Sequence, residues 1–249
     1  MDQTEKILLD EIKENRSPSV QYSIFTQNSI IKRYAFGFDN IEKRIEVSKS
    51  TTYNAYSVTK TFTALAILQL AQQGRLNIED PIKDYLPYFP YNPSVKIKHV
   101  LSHSAGIPNP IPLAWIHLAS ENQEFSRDDF FKNIILKSKG NTSEPNVKFS
   151  YSNLGYVLLG QLIEKVSGAR YEEYIQNNII KALGIPANEM GFEICDDSQH
   201  ATGYHKKNSV SDIILGFLID KSKYRDRSGH VWIPFRSFYV NGPSYGGLI

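Results

Sequence analysis

The sequence predicts an α+β fold in which helices are segregated from an antiparallel sheet. Three observations carry that expectation. Alternating apolar residues lie near the start, long apolar helical stretches fill the middle, and glycine or proline punctuates their ends. Lys6 to Glu14 reads as a short helix, with Ile7, Leu8 and Ile12 on one stripe. Val20, Tyr22 and Ile24 alternate with polar residues, Gln27-Asn28 can turn the chain, and Ile30 to Phe38 reads as the returning strand. Thr59 to Gln73 is apolar on nearly every side, which marks a buried helix, and Gly74 stops it. Pro81, Pro87, Pro108, Pro110 and Pro112 mark loops. Ser126 to Lys139 reads as a surface helix. Asn153 is expected to cap a helix over Leu154–Val166, closed by Gly168, and a further helix is expected over Tyr171–Leu183, closed at Gly184.

Composition bounds the function. The chain has 249 residues, with 28 Lys plus Arg against 26 Asp plus Glu. That near balance gives no reason to expect a nucleic-acid partner. No apolar run reaches the roughly 18 residues that cross a bilayer, so no transmembrane segment is expected. The opening MDQTEKILLDEIKENRS lacks the apolar block of a secretory signal, so a cytoplasmic location is expected. Cys195 is the one cysteine; it excludes an internal disulfide and is expected to be a small buried residue. His99 and His103 are four apart, but no acidic residue completes a zinc motif between them. His200 and His205 read as polar loop residues. No metal and no cofactor is expected.

The sharpest chemical signal is Ser57-Val58-Thr59-Lys60, placed where the buried helix begins. Serine and lysine three apart on a helix share a face. A serine hydroxyl needs a nearby base to become a nucleophile. Lysine serves only when neutral, and burial favours that form. A helix start adds backbone N–H groups suited to a developing oxyanion. The spacing alone is weak, because Ser and Lys are common and a capping serine beside a solvated lysine gives the same letters. The apolar surroundings argue against a solvated lysine. The second signal is Tyr151-Ser152-Asn153, also just before a helix. A tyrosine there can relay a proton, and Asn153 can hold the lysine or a substrate amide oxygen. The plainer alternative is a packed tyrosine and a capping asparagine. Tyr56 and Tyr245 are candidates to line a cleft, whereas Tyr53 and Tyr91 have no claim beyond packing.

Ser57-x-x-Lys60 followed by Tyr151-x-Asn153 resembles the ordered motif pair of the serine β-lactamase and penicillin-binding-protein superfamily. The tyrosine version is similar to class C β-lactamases, D-alanyl-D-alanine carboxypeptidases and related esterases. YSVTKTFTALAILQLAQQGRLNIEDPIKDYLP from Tyr56 resembles the family's nucleophile helix. LSHSAGIP from Leu101 resembles its L-x-H-T-S-G-L-P segment. FSYSNLGYVLLGQLIEKVSGARYEEY from Phe149 resembles its second motif, and Gly246-Gly247-Leu248 a later glycine-rich turn. The resemblance implies a β-lactamase/transpeptidase-like fold, an antiparallel sheet flanked by helices plus a mostly helical lobe. It implies catalysis by Ser57, Lys60 and Tyr151 through an acyl-enzyme, with Asn153 and Tyr56 binding substrate. The substrate would be a small molecule or short peptide: a β-lactam, a D-alanyl peptide or a carboxylic ester.

The family's third motif, Lys-Thr-Gly or a His-x-Gly variant, follows the glycine-rich turn, and the chain stops at Ile249. One domain with its C-terminal sheet strands missing is therefore expected. It would comprise a sheet-lobe hairpin over about residues 1–55, a helical lobe with the motifs over about 56–195, and a mixed tail over about 196–249. Arg227-Ser228-Gly229 copies the third motif in letters but precedes the turn, and is read as chance. The alternative function is a catalytically inactive truncated relative serving as a binding or assembly protein. The number of subunits is not legible.

Overall fold

A computed structural model describes residues 2–226 and 231–249. Arg227-Ser228-Gly229 lies outside the described residues. In chain order, helix α1 (Gln3–Lys13) is followed by strands β1 (Ser19–Phe25), β2 (Ile30–Asn40) and β3 (Ile45–Glu46). Helices α2 (Thr59–Gln72), α3 (Ile82–Tyr85) and α4 (Ile97–Leu101) come next, then β4 (Ile116–Leu118), α5 (Arg127–Lys137), α6 (Asn153–Ser167) and α7 (Tyr171–Ile175). The chain continues through β5 (Tyr204–Lys206), α8 (Val210–Leu218), α9 (Lys221–Tyr224), β6 (Trp232–Pro234), β7 (Phe238–Val240) and α10 (Pro243–Gly246). Mixed helix and small antiparallel sheets match the predicted α+β class.

The chain forms two compact units, residues 1–53 with 194–238 and residues 54–193 with 239–249. In the first, β1, β2 and β3 form an antiparallel sheet, with Val20 opposite Phe36 and Tyr22 opposite Tyr34. Period-two alternation fixes that register, since a slip of one residue would turn every apolar side chain over. Gly37 has φ 86°, and a Cβ there would meet the Pro18 carbonyl oxygen at 2.3 Å, so the β2 backbone passes where no side chain fits. β5 and β6 pair antiparallel in the same unit.

The second unit is built on α2 and α6. Ala66, Ile67 and Leu70 of α2 and Leu154, Leu158, Leu159 and Leu162 of α6 are buried in one core with Tyr171, Ile175 and Ile180. Tyr171 donates or accepts at Thr63 Oγ1 (2.7 Å), and Thr63 donates to the Ser244 carbonyl (2.6 Å), tying α7, α2 and α10 together.

Several expectations need correction. Helix α2 is not buried on all sides: Leu65 and Leu68 are 43% and 49% exposed, because only the stripe through Thr59, Lys60, Thr63, Ala66, Ile67 and Leu70 packs inward. Ser152, not Asn153, caps α6, its Oγ accepting from the Gly155 N–H at 3.0 Å. The helix expected over Tyr171–Leu183 widens after Ile175 into a π-helical turn, with the Lys181 N–H on the Gln176 carbonyl. Cys195 is exposed, since it sits in an irregular segment rather than on a packed element. His205 is in β5, not a loop. No helix among the described residues is long and apolar enough to cross a membrane.

Candidate active site

Ser57 lies in a single 3-10 turn, Tyr56–Val58, that leads directly into α2. Tyr56 enters this turn with φ 42°, in the left-handed region that a bulky aromatic seldom occupies. The turn is held on two sides. The Val58 N–H donates to the Ala55 carbonyl, and the Ala55 N–H donates to the Leu248 carbonyl at 2.8 Å. The Leu248 N–H in turn donates to Thr59 Oγ1 at 3.1 Å. The glycine-rich segment therefore clasps the nucleophile turn through backbone groups.

Lys60 follows one turn later and is buried, at 6% exposure. Its Nζ donates to Ser57 Oγ (3.1 Å) and to the backbone carbonyl of Tyr245 (2.7 Å). The rings of Tyr151, Tyr245 and Tyr156 surround it at 5.0, 5.4 and 5.6 Å from their centroids. Burial removes solvation from the ammonium and lowers its pKa from 10.5 to about 8. The neutral amine is thus accessible near neutrality.

Tyr151 completes the triangle. Its hydroxyl lies 2.8 Å from Ser57 Oγ, and either oxygen can be the donor. Two backbone bonds hold the segment around it. The Ser150 N–H donates to the His103 carbonyl (2.7 Å), and the Ser152 N–H donates to His103 Nδ1 (3.2 Å). An Nδ1 that accepts leaves the ring hydrogen on Nε2. The His103 ring lies 5.0 Å from that of Tyr156. Burial first, and the nearby Lys60 charge second, lower the His103 pKa from 6.5 to about 4, so the ring is neutral at pH 7.

Asn153 is buried at the start of α6. Its backbone N–H and its Nδ2 both donate to Asn109 Oδ1, at 2.9 and 3.2 Å. Tyr56 is half-exposed beside Ser57, whereas Tyr245 is buried; its contribution is the carbonyl that receives Lys60. The structure thus brings Ser57, Lys60 and Tyr151 into mutual contact, with Tyr56 adjoining. The Tyr245 carbonyl, His103 and Asn109 have no spacing signal in the sequence, since each acts through a backbone group or a loop contact. His99 and His103 do not share a helix face, because α4 ends at Leu101 and His103 turns away with φ 56°. His99 Nδ1 accepts from the Lys96 N–H at 3.2 Å.

A family model described as Beta-lactamase matches residues 3–216. Protein flp of Staphylococcus aureus is 28% identical over 215 residues, covering 84% of this chain and 42% of its own length. A penicillin-binding protein of Bacillus subtilis is 31% identical over 157 residues, covering 63% of this chain and 34% of that protein. Among solved structures, the octameric penicillin-binding protein homologue from Pyrococcus abyssi superposes with a TM-score of 0.75 at 28% identity, covering all of this chain and 53% of that one. The chain therefore spans about half the length, or less, of these relatives. With the model matched over most of its residues, the chain belongs to the Beta-lactamase family.

Proposed function

We propose that this chain carries the acylating machinery of a serine hydrolase, with Ser57 as nucleophile and Lys60 and Tyr151 as its proton-handling pair. The observation that supports the reading is the closed triangle at Ser57 Oγ, with Tyr151 Oη at 2.8 Å and a desolvated Lys60 Nζ at 3.1 Å. Both neighbours are within the reach that proton transfer requires.

In this reading Ser57 Oγ attacks the carbonyl carbon of the substrate, and its proton passes to neutral Lys60 or through Tyr151. With a pKa of about 8, about one lysine in ten is neutral at pH 7. The Ser57 backbone N–H, in the turn before α2, supplies one donor to the oxyanion. As the tetrahedral species collapses, the leaving amine or alkoxide takes a proton from the same pair, and an ester to Ser57 remains. Water then adds to the ester and regenerates the serine. The Tyr245 carbonyl keeps Lys60 in place throughout. The substrate class is a β-lactam, a D-alanyl peptide or a carboxylic ester, small enough to reach an exposed hydroxyl.

The test is intact-protein mass after incubation with a fluorophosphonate and, separately, with a penicillin, alongside a Ser57→Ala control. A stoichiometric adduct lost in the control is expected, and the penicillin arm narrows the substrate class. No adduct on protein shown to be folded would overturn the reading in favour of a non-catalytic binding role.

A further inference from the structure

β5 and β6 form an antiparallel hairpin in which Lys206 pairs with Trp232, and the Lys207 N–H donates to the Val231 carbonyl at 2.9 Å. Two residues suffice to close such a hairpin. Here the described residues after Lys207 form α8 and α9 and then return to β6, where the Asp226 N–H donates to the Pro234 carbonyl at 3.0 Å.

Helix α8 reads VSDIILGFL, and none of its residues is buried. Val210, Ile213, Ile214 and Phe217 follow the i, i+3, i+4, i+7 pattern of one helix face, yet that face points outward: they are 75, 62, 52 and 86% exposed. The orientation is fixed by the opposite side. Ser209 caps the helix by accepting from the Asp212 N–H (3.1 Å). The Asp212 carboxylate is held by Lys221 (2.6 Å) and Arg225 (2.9 Å). Gly216 leaves room for the Lys221 stem, since a Cβ there would lie 2.8 Å from Lys221 Cε. The polar side is pinned down and the apolar side is displayed.

The surroundings are basic. Lys206, Lys207, Lys221, Lys223 and Arg225 stand against Asp212, Asp220 and Asp226, an excess equal to the formal charge of +2 of the whole chain. The acidic groups are also engaged locally: Asp212 by its two cations, and Asp220 by capping α9 through the Ser222 and Lys223 N–H groups. A nine-residue helix is about 13 Å long. Its four outward side chains offer on the order of a few hundred Å², well short of the roughly 800 Å² per partner of a stable protein interface. Shallow insertion into a lipid surface needs only such a short apolar face with basic residues at its edge.

We infer that α8 docks the protein onto the surface of an anionic phospholipid bilayer, with Val210, Ile213, Ile214 and Phe217 entering the interface and the exposed Lys206 and Lys207, just before the helix, facing the headgroups. This anchoring is independent of the chemistry at Ser57. The test is co-sedimentation of the full chain with vesicles of phosphatidylcholine alone and of phosphatidylcholine mixed with phosphatidylglycerol. Binding is expected to the mixed vesicles, weaker at high salt, and lowered at least about tenfold in the Ile213→Ser/Phe217→Ser double variant. Lys206→Glu/Lys207→Glu is expected to erase the preference for anionic lipid. In Phe217→Trp, added emission should shift to the blue on mixing with those vesicles, an assay that does not depend on the serine variant folding. Three outcomes would overturn the inference. They are equal recovery in the supernatant with both vesicle types, binding indifferent to both double variants, and self-association without lipid that the serine variant abolishes, which would assign the face to a second copy of the chain.

Discussion

The imidazole of His103 lies 4.5 Å, centroid to centroid, from the ring of Tyr151, tilted by 37°. Its Nδ1 accepts from the Ser152 N–H on one side of that tyrosine, and the His103 backbone carbonyl accepts from the Ser150 N–H on the other. The bond from Ser152 requires the neutral imidazole, because Nδ1 must accept.

The first prediction concerns acid. The folded pKa of His103 is about 4, below the usual 6.5, so between these values the unfolded chain binds the proton and the folded chain does not. Its contribution to stability is full above about pH 6.5 and is lost as pH falls toward 4. The urea midpoint should therefore fall over that window, and His103→Gln should fall less steeply. Equal slopes for the two proteins would remove His103 as the cause.

The second concerns alkali. If neutral Lys60 takes the Ser57 proton, the acylation rate should rise with pH and level off above about pH 8. Stopped-flow or quenched mass measurements with an ester substrate would trace it. Lys60→Arg, which stays protonated, should lose the rise and about 10²–10⁴-fold in rate.

Tyr151→Phe removes the hydroxyl at 2.8 Å from the nucleophile and keeps the ring beside His103 and Lys60. Acylation should fall about 10²–10⁴-fold while the thermal midpoint barely moves. A large drop in the midpoint would make the tyrosine a packing residue first.

Gly160→Ala tests the packing beneath the site. A Cβ at Gly160 would lie 2.5 Å from Ser244 Oγ and 2.6 Å from its Cβ; the hydroxyl can rotate, but the Cβ cannot move without α10. Overpacking of this kind costs about 1–3 kcal/mol. Denaturant titration should show that loss. Acylation should slow as well, because Tyr245 follows Ser244 and carries the Lys60 acceptor.

Much of this was readable in the chain. The β1–β2 hairpin is legible because alternation has period two and admits one register. Ser57 and Lys60 are legible because a helix places residues three apart on one face, in a stretch with no polar side to hold a solvated lysine. The cap of α6 was misassigned because Ser152 and Asn153 are both good caps and differ by one position; only the Gly155 N–H direction separates them. The exposure of Leu65 and Leu68 was hidden because composition tells how apolar a helix is, not which side finds a partner. Asn109 was hidden among prolines, and its partner Asn153 is far along the chain. The Tyr245 carbonyl was out of reach for another reason, since every residue has a carbonyl.

That carbonyl lies 185 residues beyond Lys60. Ser57, Lys60 and Tyr151 have all been synthesised well before it exists, and the Leu248 clasp on the nucleophile turn comes later still. Closing so long a loop is a late event in folding, because its entropy must be met before the contacts reward it. On the ribosome, therefore, the nascent chain carries a serine whose lysine has no seat. The reactive centre comes into being only when residues 243–248 thread against α2, so a seated Lys60 reports that this segment has docked.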